Sequence, residues 1–362
     1  MDQSGTAQPL VSVVIPAFNA ESTLEQTLLS AAAQTYPRLE IIVVDDGSTD
    51  KTANIARVFC AKDSRARLIF KANGGVASAR NLGIERAAGE WIAPLDADDL
   101  WHPTKIAKQV AAALAAPTRP GFVYCWHQYI DEKGGITGSS PRIIANGRAL
   151  HQLAYCNFVG NGSAPLISRE ALLSVGGYDS SLRERGGEGC EDQKMQLRIA
   201  QSFSVAAVPE DLVGYRNHEG SMSRRGRQMF RSWQLMLDDL EPELIIPRQI
   251  RDWILSGCYV WFGDSMIAER SFGTALRAFA TALRLDPSRS SMMIGQRLIN
   301  ILVRVVGGRQ TPGPHQQYGT SVSGATVPFD TFNSNLFAMI VRYIDEKRLS
   351  RLAVSERTAD AT

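Results

Sequence analysis

The first hundred residues alternate two periods. "VSVVI" (11 to 15), "LEIIVV" (39 to 44), "RARLIF" (65 to 70) and "EWIAPL" (90 to 95) are short runs rich in β-branched residues, and each is followed by a helical stretch. Strand, helix, strand, helix implies right-handed crossovers and a mainly parallel sheet covered by helices. The fold class read from this pattern is α/β, with a mixed sheet and a C-terminal α-helical appendage. A capping box, Ser22-Thr23-Leu24-Glu25, is expected to open the first helix, which stops before Pro37. The next two helices are placed at about 50 to 60 and from after Gly74-Gly75 to near Gly89.

Such sheets bind ligands at the carboxyl ends of their strands. Those ends here carry Pro16, Phe18 and Asn19, then Asp45-Asp46-Gly47-Ser48, then Asn73-Gly74-Gly75, then Asp96-Ala97-Asp98-Asp99. Polar and acidic residues converge on one edge. Three carboxylates within "PLDADDLWHP" repel one another and call for a cation. A hard divalent ion such as Mg²⁺ or Mn²⁺ takes one or two protein carboxylates and completes its shell with water and phosphate oxygens. The alternative for so short a motif is a solvated acidic turn. In the Asp45-Asp46 run a carboxylate suits a ribose hydroxyl or base N–H, and Asp46, Ser48 or Asp50 equally suits a helix N-cap.

Other sites are excluded by what is missing. No G-x-G-x-x-G follows the first strand, and no Walker loop, H-E-x-x-H or G-x-S-x-G occurs. A formal net charge of +2 on 362 residues gives no reason to expect nucleic acid as a partner. The N-terminus has neither the basic nor the apolar region of a secretory signal. The tract 291 to 308 is interrupted by Gln296, Arg297, Asn300 and Arg304 and makes a poor spanning helix. Five scattered cysteines without a C-x-x-C pair fit a reducing compartment, so a cytoplasmic location is expected, peripheral at the inner face of the membrane at most.

Further along, "FVYCWHQYI" reads as a strand, "DEKGG" as a hairpin turn and "SAPLIS" (163 to 168) as another strand. "EDQKMQLRIAQS" (191 to 202) reads as an amphipathic helix, and "FSVAAV" and "DLVGYRNH" as the last strands. The expected divisions are a catalytic domain over 1 to 225, a helical appendage over 226 to 307, a linker over 308 to 330 and a helix with tail over 331 to 362, the helix near 331 to 347. Within the appendage, "AERSFGTALRAFATALRLDP" resembles half of a tetratricopeptide repeat, which cannot bury its face alone. "QRLINILVRVV" (296 to 306) puts Leu298, Ile301, Leu302 and Val305 on one side, suited to core packing, a partner helix or a membrane surface.

The segments "VSVVIPAFNAESTLEQTLLSAAAQTYPRLEIIVVDDGSTDKT" and "NGGVASARNLGIERAAGEWIAPLDADDLWHP" resemble the nucleotide-sugar-binding half of the family 2 inverting glycosyltransferases with the GT-A fold. The resemblance covers roughly 10 to 225. It implies that Asp45 and Asp46 hold the nucleoside and that Asp96 and Asp98 carry a Mg²⁺ or Mn²⁺ bridging a diphosphate, with Asp98 the direct ligand. Arg80 matches a basic residue near the nucleotide, or else pairs with a carboxylate such as Glu85. "VGGYDSSLRERGGEGCEDQKMQLRIA" matches the segment carrying the acceptor-side base, which implies Asp192 as base and Glu191 as its substitute; an acid there also complements a helix dipole. "YRNHEGSMSRR" resembles the closing segment, implying His218 at the metal or diphosphate and Arg216, Ser221, Arg224 and Arg225 as a phosphate lid. Gln193 and Lys194 stand where an aromatic residue is frequent, which unsettles the acceptor pocket. The implied reaction moves a sugar from a nucleoside diphosphate, UDP by base rate, to a saccharide, lipid-linked or protein hydroxyl. A non-catalytic sugar-nucleotide scaffold and a nucleotidylyltransferase are the rival readings.

Overall fold

The computed structural model describes residues 8–217, 222, 225–306 and 336–359. In chain order the elements are β1 (Val11–Ala17), α1 (Leu24–Ala32), β2 (Leu39–Asp45), α2 (Thr52–Lys62), β3 (Ala66–Phe70), α3 (Val76–Arg86), β4 (Trp91–Pro94), β5 (Leu100–Trp101), α4 (Lys105–Ala115), β6 (Phe122–Ile130) and β7 (Ile136–Ser139). They continue with α5 (Leu150–Tyr155), β8 (Leu166–Ser168), α6 (Arg169–Ser174), α7 (Ser181–Glu184), α8 (Glu191–Ser202) and β9 (Val205–Arg216). Helices α9 (Gly226–Leu240), α10 (Arg248–Ala268), α11 (Phe272–Leu285), α12 (Pro287–Val306) and α13 (Leu336–Ala359) follow.

Two compact units result. The first holds the described residues up to Gly147 with Phe158–Glu184 and Glu191–Asn217; the second holds Arg148–Asn157, Arg185–Cys190 and the described residues after Asn217. Two short segments inside the expected catalytic range, one of them carrying α5, therefore pack with the helices.

The first unit is built on one mixed sheet ordered β3-β2-β1-β4-β8-β6-β9-β5, with β7 on β6. Strands β3, β2, β1 and β4 are parallel, and β8 runs against both β4 and β6. Val11, Val13, Val14 and Ile15 of β1 are fully buried, as a central strand covered on both faces requires. The chain steps outward from β1 to β3 and returns to place β4 on the other side of β1, which puts a switch point at the C-terminal end of β1. Its last pairs are Ala17↔Asp45 on one side and Val14↔Pro94 on the other. Pro16 lies past the final β1–β4 pair, where the strands part and a missing N–H costs no ladder bond there.

Three elements differ from expectation. The Ser22 capping box does not form: α1 starts at Leu24 with Thr23 as N-cap and no side-chain cap bond, because the Thr23 hydroxyl donates to Ala97 O at 2.9 Å. "FSVAAV" and "DLVGYR" join as the single strand β9, whose pairing with β6 jumps from Cys125↔Val208 to Trp126↔Asp211. Pro209 and Glu210 form that bulge, as a residue without an N–H allows. The last helix runs over Leu336–Ala359 and so extends beyond the expected end near 347.

In the second unit, α11 buries the small residues Ala275, Ala278 and Ala282 while Phe272 and Leu276 are exposed. The Phe279 ring fills the space over Gly263 of α10, where a Cβ would come within 2.4 Å of it. Arg348 and Asp286 form a buried ion pair, and the Arg348 guanidinium lies 4.1 Å from the Trp253 ring. Among the described residues no helix is long and apolar enough to cross a membrane. The expected linker 308 to 330 and the side chains at 298 to 306, including Leu298, Ile301, Leu302 and Val305, lie outside what the structure describes.

Candidate active site

The loop after β4 is tied down at every backbone carbonyl. Asp96 O accepts from Asp99 N (3.1 Å), Ala97 O from the Thr23 and Thr27 hydroxyls (2.9 and 3.0 Å), Asp98 O from Arg216 Nε (2.7 Å) and Asp99 O from Thr27 Oγ1 (2.9 Å). Of its three carboxylates, Asp99 is fully buried and accepts from Ser163 Oγ (2.6 Å) and Arg216 N (2.9 Å). Burial, joined by the charges of Asp98 and Asp96, pushes the Asp99 carboxyl well above the usual range. It belongs to the interior. Asp96 is part-exposed and bound by Arg80 Nη2, and Asp98 is part-exposed.

The Asp45-Asp46 run also divides. Asp46 accepts from Gly74 N (2.9 Å), Gly75 N (2.8 Å), Asn73 Nδ2 (3.2 Å) and Lys71 Nζ, so its carboxylate fastens the loop that opens α3. Asp45 accepts from Ser48 N at 3.3 Å. Asp50, one residue before the Lys51 N-cap, accepts from the first N–H of α2, Thr52 N, at 2.9 Å. The run is thus divided between a loop anchor at Asp46, a helix-start acceptor at Asp50 and Asp45, whose carboxylate accepts only from Ser48 N among the described residues. The Asn73 side chain is committed too, to Asp46 and to Arg183 Nη2 (2.7 Å). Asn19, at φ 48°, accepts from Thr49 N (2.9 Å) through its side chain and donates its backbone N–H to Ser48 Oγ (3.1 Å), while Phe18 beside it is 50% exposed.

Arg80 is buried and pairs with Asp96, not with Glu85. Its guanidinium lies 5.0 Å from the Tyr178 ring centre. Burial works against this cation, but Asp96, Tyr178 and Asp192 outweigh it and hold its pKa above the ordinary value. Tyr178 is itself pinned to α3 by a two-way bond, Tyr178 N to Asn81 Oδ1 (2.9 Å) and Asn81 Nδ2 to Tyr178 O (2.7 Å). Gly177 makes that approach possible: it sits at φ +74°, and a Cβ there would meet Asn81 Oδ1 at 2.7 Å. The Gly-Gly-Tyr-Asp segment thus joins α3 to α8, through Asn81 on one side and the Asp179–Lys194 pair on the other.

Helix α8 opens with Glu191, which is buried, and Asp192, which is part-exposed. Asp192 accepts from the Gln193 N–H at 2.8 Å. Burial raises its pKa; Arg80 and that N–H pull it back, and Asp96 adds to the rise. A carboxylate poised above its ordinary range, within the field of an Arg and a second acid, is placed to take a proton. Lys194 is buried against Asp179, so the departure at 194 belongs to the support of this segment.

Arg216 is a correction. It is 1% exposed, and its Nη1 donates to the Asp131 and Glu132 carbonyls (2.9 and 2.7 Å) and its Nη2 to Gln26 Oε1 (3.2 Å). A guanidinium engaged on this many sides is an internal brace, not a mobile phosphate contact. His218, Ser221 and Arg224 lie outside the described residues.

Two residues important to the site went unread in the sequence. Ser163 joins Asp99 to the Asp96 N–H (3.0 Å), and the Trp101 indole donates to its carbonyl (3.0 Å). Gly162 lies against the Arg80–Asp96 pair, where a Cβ would come within 2.5 Å of Arg80 Nη2 and 3.0 Å of Asp96 Oδ2. The run "GNGS" was a visible signal, since adjacent small residues mark close approach.

The glycosyl transferase family 2 model matches residues 12–175. An uncharacterized glycosyltransferase of Rickettsia typhi is 40% identical over 237 residues, 65% of this chain and 72% of its own length. The chain belongs to glycosyl transferase family 2. The UDP-Glc:α-D-GlcNAc-diphosphoundecaprenol β-1,3-glucosyltransferase WfaP of Escherichia coli is 37% identical over 225 residues, 59% of this chain and 80% of the relative. Four further glycosyltransferase relatives are spanned over only 20% to 48% of their length. Among solved structures, S. aureus TarS 1–349 with UDP-GlcNAc matches at a TM-score of 0.57 and 18% identity, over 81% of this chain and 88% of that one. A mannosyltransferase of Pyrobaculum calidifontis with GDP-Man and Mn²⁺ matches at 0.55 and 20%, over 83% and 82%. The fold of this family 2 chain is of the GT-A type.

Proposed function

We propose that this family 2 chain is a metal-dependent inverting glycosyltransferase that moves a sugar from a nucleoside diphosphate, UDP in our reading, to an acceptor hydroxyl. The observation that carries the proposal is the meeting of three groups in one unit: the Asp98 loop, the Arg80–Asp96 pair and Asp192, which feels the charge of both members of that pair. UDP is favoured by the WfaP name and the TarS complex, while the mannosyltransferase complex keeps GDP in contention. A lipid-linked saccharide is the favoured acceptor, since WfaP acts on a diphosphoundecaprenol-linked sugar; a polysaccharide or protein hydroxyl is the alternative. This would place the protein in surface-glycan synthesis.

Among the described residues no cluster of three or more His, Cys, Asp or Glu is placed to hold a metal. The donors present nevertheless fit a hard dication that draws most of its shell from diphosphate and water: a part-exposed Asp98 on an immobilised loop, with Asp96 beside it. Mg²⁺ or Mn²⁺, when bound, would neutralise charge on the leaving diphosphate. The chain does the rest. Asp45 faces the nucleoside reading, Arg80 fixes Asp96, and Asp192 removes the acceptor proton as the hydroxyl attacks from the side opposite the leaving group. Inversion requires this single base and no covalent sugar–enzyme bond.

Replacing Asp192 by Asn tests the reaction. Turnover should fall by roughly 10²- to 10⁴-fold, the usual contribution of a positioned base, with donor binding nearly unchanged. Glu191→Gln should cost less. Full activity in both variants would remove the acid pair from the mechanism. A donor hydrolysis assay separates an enzyme from a non-catalytic scaffold, and thermal stability against UDP-, GDP- and dTDP-sugars identifies the nucleotide.

A further inference from the structure

Among the described residues Arg216 is the largest fully buried side chain, yet no side-chain carboxylate of those residues accepts from its guanidinium, which makes four bonds to them. Burying a cation costs several kcal/mol unless hydrogen bonds compensate. The compensation comes from three backbone carbonyls and one amide: Asp98 O, Asp131 O, Glu132 O and Gln26 Oε1. Those acceptors belong to the acidic loop, the β6–β7 turn and α1. A planar fork of fixed donors joins such separated segments in one geometry, which a flexible ammonium does not.

The backbone of the same residue completes a second link. Arg216 N donates to Asp99 Oδ1, Asp99 Oδ2 accepts from Ser163 Oγ, and Ser163 Oγ accepts from Asp96 N. The acidic loop is therefore held at both ends: Asp96 through Ser163, Asp98 through the guanidinium, and Asp99 between them. Each tie ends on the backbone of a residue whose side chain the proposed chemistry uses, or on Asp99, which that chemistry does not use.

We infer that Arg216, acting with Asp99 and Ser163, is a positioning device that presets the Asp98 carboxylate for a divalent ion, so that its identity controls metal affinity and not fold alone. The inference rests on the reading of Asp98 as the metal ligand. Partners one shell out from a metal typically change its affinity by about 10- to 100-fold when lost. A brace of purely architectural value would instead lower stability and weaken nucleotide binding equally with and without metal.

The test uses the full chain with Arg216→Lys, which keeps the charge and removes the fork, and Ser163→Ala, which removes one hydroxyl. UDP is titrated with MnCl₂ and with EDTA, and amide exchange is followed in the peptide spanning Asp96–Trp101. The expected result is a Mn²⁺-dependent UDP affinity lower by about 10- to 100-fold, an EDTA affinity within about twofold, and exchange of the loop amides faster by at least about tenfold. Unchanged exchange in both variants overturns the positioning role whatever the nucleotide data show. Equal loss with Mn²⁺ and EDTA overturns its link to the metal. A wild-type protein whose UDP affinity ignores Mn²⁺ overturns the metal reading itself, and is told apart from failure of the brace by the exchange result. If Arg216→Lys does not fold, Ser163→Ala decides on the same readouts.

Discussion

The acidic runs at the ends of β2 and β4 look alike in sequence and are built alike in space, but they divide their labour differently. Each has one carboxylate committed to the interior: Asp46 after β2, Asp99 after β4. Asp46 faces outward in chain terms, gathering donors from the loop that opens α3, whereas Asp99 faces back through Ser163 and Arg216 onto its own loop. The β2 acid therefore organises a neighbour and the β4 acid organises itself. Three carboxylates remain, Asp96 paired with Arg80 and two in contrasting surroundings. Asp98 is part-exposed on a loop with every carbonyl bound, while Asp45 is buried at the end of a strand. Acid count overstates a site by the number of acids the fold uses for itself.

The largest effect should come from Asp98→Asn, which keeps the shape and deletes the charge. Mn²⁺-dependent UDP affinity should fall by at least about 100-fold, since loss of an outer-shell partner alone reaches that figure. Stability should move by no more than about 0.5 kcal/mol, as for other part-exposed changes. Calorimetric titration with and without Mn²⁺ reads the first and urea denaturation the second. Retained Mn²⁺ dependence would erase the distinction between the two runs on the β4 side.

Asp46→Ala should break the β2 side instead. It strips the acceptor from two backbone N–H groups, Asn73 and Lys71, and leaves the Gly75 N–H behind at a buried position. A loss of about 2–4 kcal/mol is expected, below the cost of a fully buried ion pair because Lys71 is partly solvated. The midpoint of urea unfolding should drop with little change in slope. A loss under about 1 kcal/mol would mean that water replaces the carboxylate and that Asp46 is open to a ligand after all.

How much of this was legible depended on whether the deciding contact was local. Strands β1 to β4 follow from β-branched runs, and α8 spans the 191 to 202 segment read from its periodicity, because each pattern is complete within its own window. Asp192 and Asp98 are singled out by the family resemblance, whose motifs are short and contiguous, and their roles are the proposals that the variants test. The Ser22 capping box failed because Thr23 found a better acceptor at Ala97, 74 residues away. Arg216 was misread by a similar distance effect. The resemblance of its segment to the family's closing segment suggests phosphate, while its acceptors at Asp98, Asp131 and Glu132 are visible only once β9 is paired with β6. For Ser163 the run "GNGS" marks a close approach but not its partners, since a serine that joins two loop residues is written like any other serine.

The smallest effect, and the one that sharpens the comparison most, belongs to Asp45→Asn. Asp45 accepts one long bond from Ser48 N, against four donors on Asp46, so an amide of the same shape at this buried position should cost only about 1 kcal/mol of stability. If its carboxylate accepts from the nucleoside, replacing a charged acceptor by a neutral one should weaken UDP binding by about 1.4 kcal/mol, or tenfold, at the low end for a bond to a charged group. The loss should be the same in Mn²⁺ and in EDTA, because this end of the ligand is remote in function from the diphosphate. A loss confined to Mn²⁺ would place Asp45 with Asp98 in one electrostatic site and dissolve the division of labour. No loss at all would make Asp45 as structural as its neighbour, leaving nucleoside recognition to the exposed Phe18 and the loop around it.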